Sequence, residues 1–186
     1  MRKSFSLIEA VFVVVLLGVL ASVAVSKFVT TRIDSAVASL RHDASSATKS
    51  IVAKVFADNL NTTTEKAPSP NDIEKKLTMS WSEWILEVGG LDKGRWTKPL
   101  ATSATAERGV SPAHNYHGRF MPCGTNAMIE ILSGGDLYFN PVAVAADTSS
   151  KSREPELCKK LRQSYENSAD SGNKIFPLTT SKSLSY

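Results

Sequence analysis

The chain has 186 residues, of which 42% are hydrophobic and 22% charged, and a formal charge of +4. That length buries one core with an appendage and argues against two full domains, while the ordinary overall composition argues against a disordered chain. Arg2 and Lys3 supply two of the four charges, so the chain beyond Ser4 carries +2 from its side chains, a weak basis for nucleic-acid binding.

The chain opens Met1-Arg2-Lys3-Ser4 and continues Phe5-Ser6-Leu7-Ile8-Glu9-Ala10 into an apolar stretch, Val11 to Val25, broken only by Gly18 and Ser22. Counted from Phe5 this makes about 21 residues, enough for a helix to cross a hydrocarbon core. Arg2 and Lys3 precede it, and the positive-inside tendency keeps that end cytoplasmic and sends the rest across. Glu9 is the anomaly, because a carboxylate one turn inside such a helix costs several kcal/mol unless it is paired. Cleavage after Ser4 would release an amino group on Phe5. In a stack of parallel helices that cation pairs with the Glu9 of a neighbour and selects the axial register.

Ser4 followed by Phe5-Ser6-Leu7-Ile8-Glu9 and an apolar helix resembles the class III signal of type IV pilins and type II secretion pseudopilins. The resemblance implies that a prepilin peptidase cuts between Ser4 and Phe5 and methylates the new amine. It also implies that Glu9, fifth in the mature chain, guides assembly. Its implied partners are identical or homologous filament subunits, an inner-membrane assembly platform and the lipid bilayer. The implied location is a single pass of the bacterial inner membrane with the C-terminal domain periplasmic or extracellular, and a place in the filament after assembly. The implied role is a structural subunit of a type IV pilus, type II secretion or DNA-uptake filament. Two other readings compete. Ser22-Val23-Ala24 makes a passable signal-peptidase site, and the segment also serves as an uncleaved anchor; either makes the chain an exported or membrane-anchored periplasmic binding protein.

After Lys27, apolar residues recur at Val29, Ile33, Val37, Leu40, Ala44, Ala47, Ile51 and Val55, in helical steps of three or four. With no proline before Pro68, the first helix is expected to continue to about Asn59 as the spine of a small domain. Ser26 lies near the position where many pilins carry a kinking proline, which predicts an unkinked helix there. Asn61 to Pro70 is a loop by composition. A second helix is expected with Asn71 or Asp72 as cap, a stripe of Ile73, Leu77, Trp81, Trp84 and Ile85, and Gly89-Gly90 as its end. Leu91 to Pro122 is irregular and reads as an exposed connection. Ala127, Ile129 and Ile131, then Ser133-Gly134-Gly135-Asp136, then Leu137-Tyr138-Phe139 read as a β-hairpin, with Pro141 ending its second strand. Residues 164–186 read as a partly flexible tail.

Two cysteines, Cys123 and Cys158, suit one disulfide outside the cytoplasm, roughly 3–4 kcal/mol in the chain-entropy model; two unpaired thiols are the alternative. His114 and His117 near Cys123 suggest zinc only faintly, because a fourth ligand is lacking, and Ser111 with His114 is too unsupported for a nucleophile and its base. A calcium ion around Asp136 or Asp147 is weakly suggested. The short basic runs Lys93, Arg95, Lys98 around Trp96, and Lys159-Lys160-Leu161-Arg162, read as solvated faces. No enzyme, metal or cofactor is expected. The expected fold class is α+β and pilin-like, with a long N-terminal helix, half of it transmembrane, packed on a small C-terminal domain with an antiparallel hairpin or sheet. The expected segments are a leader at 1–4, a membrane or filament-core helix at 5–25, its amphipathic continuation at 26–60, and a periplasmic domain at 61–163 before the tail.

Overall fold

Helix α1 (Leu7–Ala57) runs unbroken for 51 residues, roughly 77 Å, and crosses Ser26 without a break, as expected of a segment with no proline. The computed structural model describes residues 7–72, 76–100, 107–116, 119–144, 155–166 and 172–179. The helix stops where Asn59 turns left-handed, with φ 47°. Leu60 N–H then donates to the Val55 carbonyl at 3.0 Å and Asn59 N–H to that of Phe56 at 3.3 Å. This is a Schellman closure with asparagine where glycine is commoner.

The described chain is α+β, its strands antiparallel. A short ladder, β1 (Ala67–Pro68) with β2 (Thr78–Met79), leads into α2 (Trp81–Val88). The main sheet is built on β4 (Gly109–Tyr116). Its first residues pair with β6 (Ile129–Ile131), its middle with β3 (Trp96–Thr97) and its end with β5 (Arg119–Pro122). Beyond β6 come β7 (Leu137–Phe139) and β8 (Lys174–Phe176). A 3-10 turn (Pro141–Val144) follows β7, and α3 (Glu156–Glu166) precedes β8. At Gly109 the sheet leaves no room for a side chain: a Cβ there would lie 2.4 Å from that of Ala127 and 2.9 Å from the Ile129 carbonyl oxygen.

The stripe on α1 is the core's seam. Val37, Leu40, Ala44, Ala47, Ile51 and Val55 are all buried, Ile33 is partly so, and the side chain of Val29 lies outside the described set. The small side chains of Ala44 and Ala47 let neighbouring elements approach, and α1 packs against α2, α3 and β7. Each fully buried Leu, Ile or Val contributes about 1.5–3 kcal/mol. Opposite this seam stand Trp81, Trp84, Trp96, Ile129, Ile131 and Leu137, all essentially fully buried. The tryptophans are thus core residues, and the hairpin β6–β7 is present, its turn carrying Gly135 at φ 92°.

Three expectations are corrected. The second helix begins at Trp81, not at 71 or 72. Ser80 caps it in a reciprocal box with Glu83, Asp72 instead accepts a hydrogen bond from Leu77 N–H at 2.6 Å, and Leu77 is exposed. Ile73 lies outside the described residues. The Thr78–Met79 pairing with β1 competes with helix over that stretch and wins. Second, the segment 91–122 is not a connection over the surface: it supplies β3, β4 and β5, with Trp96, Val110 and Ser111 buried. Pro112 and the polar residues of β4 hide the strand signal, and the strand exists because three partners pair with it in turn. Third, residues 164–166 finish α3, and Lys174–Phe176 form a strand, because Phe176 and Leu178 reach the core.

Ile51 sits at the centre of the seam with no exposure. Ile51→Ala is expected to cost about 2–5 kcal/mol of stability, measured by denaturant unfolding of the full chain in detergent, with the secondary structure unchanged in the absence of denaturant.

Candidate functional site

The upper part of α1 is uncovered. Leu7, Ile8, Phe12, Val14, Leu17, Val19 and Leu20 are each more than half exposed, and every residue from Leu7 to Ser22 is exposed. At about 100° per residue these positions point in all directions, so the helix is apolar around its whole circumference rather than along one stripe. Glu9 stands in its first turn, also exposed, where a carboxylate suits the positive end of the helix dipole. Ser4 and Phe5 lie outside the described residues. Among the described residues no helix is long and apolar enough to cross a membrane. The run of described side chains from Leu7 ends at Ser22, short of the ~20 residues a span needs.

Cys123 and Cys158 form a disulfide with their Cα atoms 5.4 Å apart, tying the loop after β5 to α3. Beside it, Nδ1 of His114 on β4 lies 3.6 Å from Cys158 Sγ. Burial pushes the His114 pKa below 6.5, opposed by a hydrogen bond to the Met121 backbone across the β4–β5 pairing. His117 and Asp147 lie outside the described residues. Ser111 is buried, and its hydroxyl reaches only the Pro112 carbonyl, at 3.5 Å, rather than His114. Among the described residues Asp136 belongs to no group of three carboxylates, histidines or cysteines close enough to share an ion.

The basic runs are largely spent inside the molecule. Arg95 pairs with Asp43 at 3.2 Å and hydrogen-bonds Ser39, Lys98 meets Glu107 at 3.1 Å, Lys160 meets Asp34 at 2.6 Å, and Arg162 meets Glu166 at 3.2 Å. Three of these contacts, to Asp34, Ser39 and Asp43, fasten α1 to the rest of the domain.

One residue has no counterpart in the sequence reading. The buried Arg108 donates to four carbonyls, those of Thr62 and Thr64 at 2.7 Å, Ile131 at 2.7 Å and Leu132 at 2.9 Å, and stands over the Trp81 ring. It joins the loop after α1 to the hairpin. Carbonyl acceptors leave no mark in a sequence, so no local signal pointed to it. The Ser80-x-x-Glu83 box, by contrast, was readable. There the Ser80 hydroxyl, with its N–H and Lys98, holds the Glu83 carboxyl below the usual range.

No family model, curated protein or solved structure matches the chain.

Removing Arg108 takes a donor from four carbonyls, of which Thr64 keeps the Trp81 indole N–H and Leu132 the Gly135 N–H, so Arg108→Met is expected to lower stability by about 3 kcal/mol in the same unfolding assay. His114 titrates with the opposite visibility. Its folded pKa lies below the unfolded 6.5, so the unfolded chain binds the proton first and stability falls as pH drops below 6.5. Melting temperatures measured between pH 7.5 and 5 should show that slope in the native chain and a shallower one in His114→Gln.

Proposed function

We propose that the chain is a structural filament subunit of the pilin or pseudopilin kind, inserted in the inner membrane as a precursor and assembled through its N-terminal helix. The observation that carries this reading is the stretch of α1 from Leu7 to Ser22, apolar on every side and covered by none of the described residues. A helix of that composition is stable in lipid or among like helices and is poorly suited to water. The helix sequence from Phe5 to Val25, which extends past the described side chains, supplies the length of a span.

Glu9 supports the same reading. In lipid its carboxylate demands a partner, and the amine that cleavage would leave on Phe5 of an adjacent subunit is the nearest suitable cation. The unbroken helix from Leu7 into the core couples that register to the position of the folded domain, so that subunits stacked by their helices present their domains in a fixed order. The work is mechanical, and extraction from the bilayer falls to other proteins, a prepilin peptidase and an assembly platform among the partners.

The N-terminal residue of protein purified from membranes of its native host, read by mass spectrometry, is expected to be N-methyl-Phe5. A start at Val25 or an intact Met1 would instead move the chain to the exported or anchored binding protein. Glu9→Ala is expected to leave the domain folded and abolish its recovery in sheared filaments.

A further inference from the structure

His114, Cys123 and Cys158 come from three separate elements, β4, the loop after β5, and α3, yet their ligand atoms all lie within 4.8 Å of one another. In a tetrahedral zinc site, with Zn–S near 2.3 Å and Zn–N near 2.05 Å, a nitrogen and a sulfur ligand stand about 3.6 Å apart. The His114 Nδ1 to Cys158 Sγ distance is 3.6 Å. The imidazole is thus already at the spacing of a shared metal. Two sulfur ligands of one zinc stand about 3.8 Å apart, so the two sulfurs separate on reduction, and Cys123 Sγ, within 4.8 Å of the other two ligand atoms, moves into the imidazole's reach.

We propose that the Cys123–Cys158 bond covers a latent thiolate–imidazole site that takes a borderline-soft divalent cation of the zinc class once the disulfide is reduced. The electrons balance simply. A dithiol reductant gives two electrons to the sulfur–sulfur bond and leaves as its own disulfide. The two cysteine thiols then lose their protons to solvent as both sulfurs bind the cation, and His114 adds Nδ1 as a neutral ligand. Water completes the tetrahedron, as in open zinc sites of two cysteines and one histidine. Both cysteines and His114 are buried or partly buried, which favours a metal held between elements over one on a free surface chain. Oxidised or metal-loaded, the same three elements stay fastened together.

The full chain in mild detergent, reduced with a phosphine and titrated with Co²⁺ as the spectroscopic stand-in for Zn²⁺, tests this. The reduced native chain is expected to bind one Co²⁺, with thiolate-to-cobalt charge transfer and the visible bands of tetrahedral cobalt. Zinc displaces it. His114→Ala should weaken binding at least about tenfold, His42→Ala should leave it unchanged, and Cys158→Ser should abolish the charge-transfer band. Near-ultraviolet circular dichroism of the reduced, zinc-loaded chain should match that of the oxidised chain. Absence of the cobalt spectrum in the reduced chain, unchanged affinity in His114→Ala, or a reduced chain whose lost tertiary signal zinc does not restore would each overturn the proposal.

Discussion

The seam of Val37, Leu40, Ala44, Ala47, Ile51 and Val55 along the lower half of α1 is the constraint on which the rest of the molecule depends. It buries one face of a helix whose upper half has no such face, so a single rigid rod passes from a fully apolar surface into a protein core. The transition requires no hinge. The side-chain pattern changes from apolar on all sides to apolar on one stripe while the backbone hydrogen bonds continue, and the ion pairs of Asp34 with Lys160 and Asp43 with Arg95 anchor the flanks of that stripe.

Around the seam the domain is closed by long-range ties rather than by strong local elements. Its strands are short, from two to eight residues, and β4 holds three different partners along its length. Arg108 fastens the loop after α1 to the hairpin through four carbonyls, and the disulfide fastens α3 to the end of the β4–β5 pair. Glu130 lies close to Arg108; burial pushes its carboxyl up and the guanidinium pulls it back. A small domain with so few regular residues gains its uniqueness from such fixed polar contacts together with its three buried tryptophans.

The division of labour that follows suits a filament subunit. Under the proposed function the exposed apolar rod would supply association energy without specificity, since lipid tails and other helices satisfy it alike, and the carboxylate in its first turn would add a demand for a particular neighbour. The cysteine and histidine cluster sits on the folded domain, in α3, β4 and the loop after β5, and not on the exposed half of α1.

The sequence alone determined what periodicity and local chemistry encode. The length of α1, its buried stripe, the β6–β7 hairpin and the partnership of the two cysteines were legible because each is written in spacing or count. The capping box at Ser80 is legible too, and it fixes the start of α2 against the apolar stripe that begins at Ile73. Tertiary structure alone decided the rest. Strands β3 to β5 lack alternation and contain proline, so their existence rests on pairing partners that are distant in the chain. Arg108 gains its role from backbone carbonyls that any residue can offer. His114 comes to stand beside Cys158, 44 positions away, only because β4 and α3 meet. A sequence records which groups a chain carries, while their distances are set by the core that α1 organises.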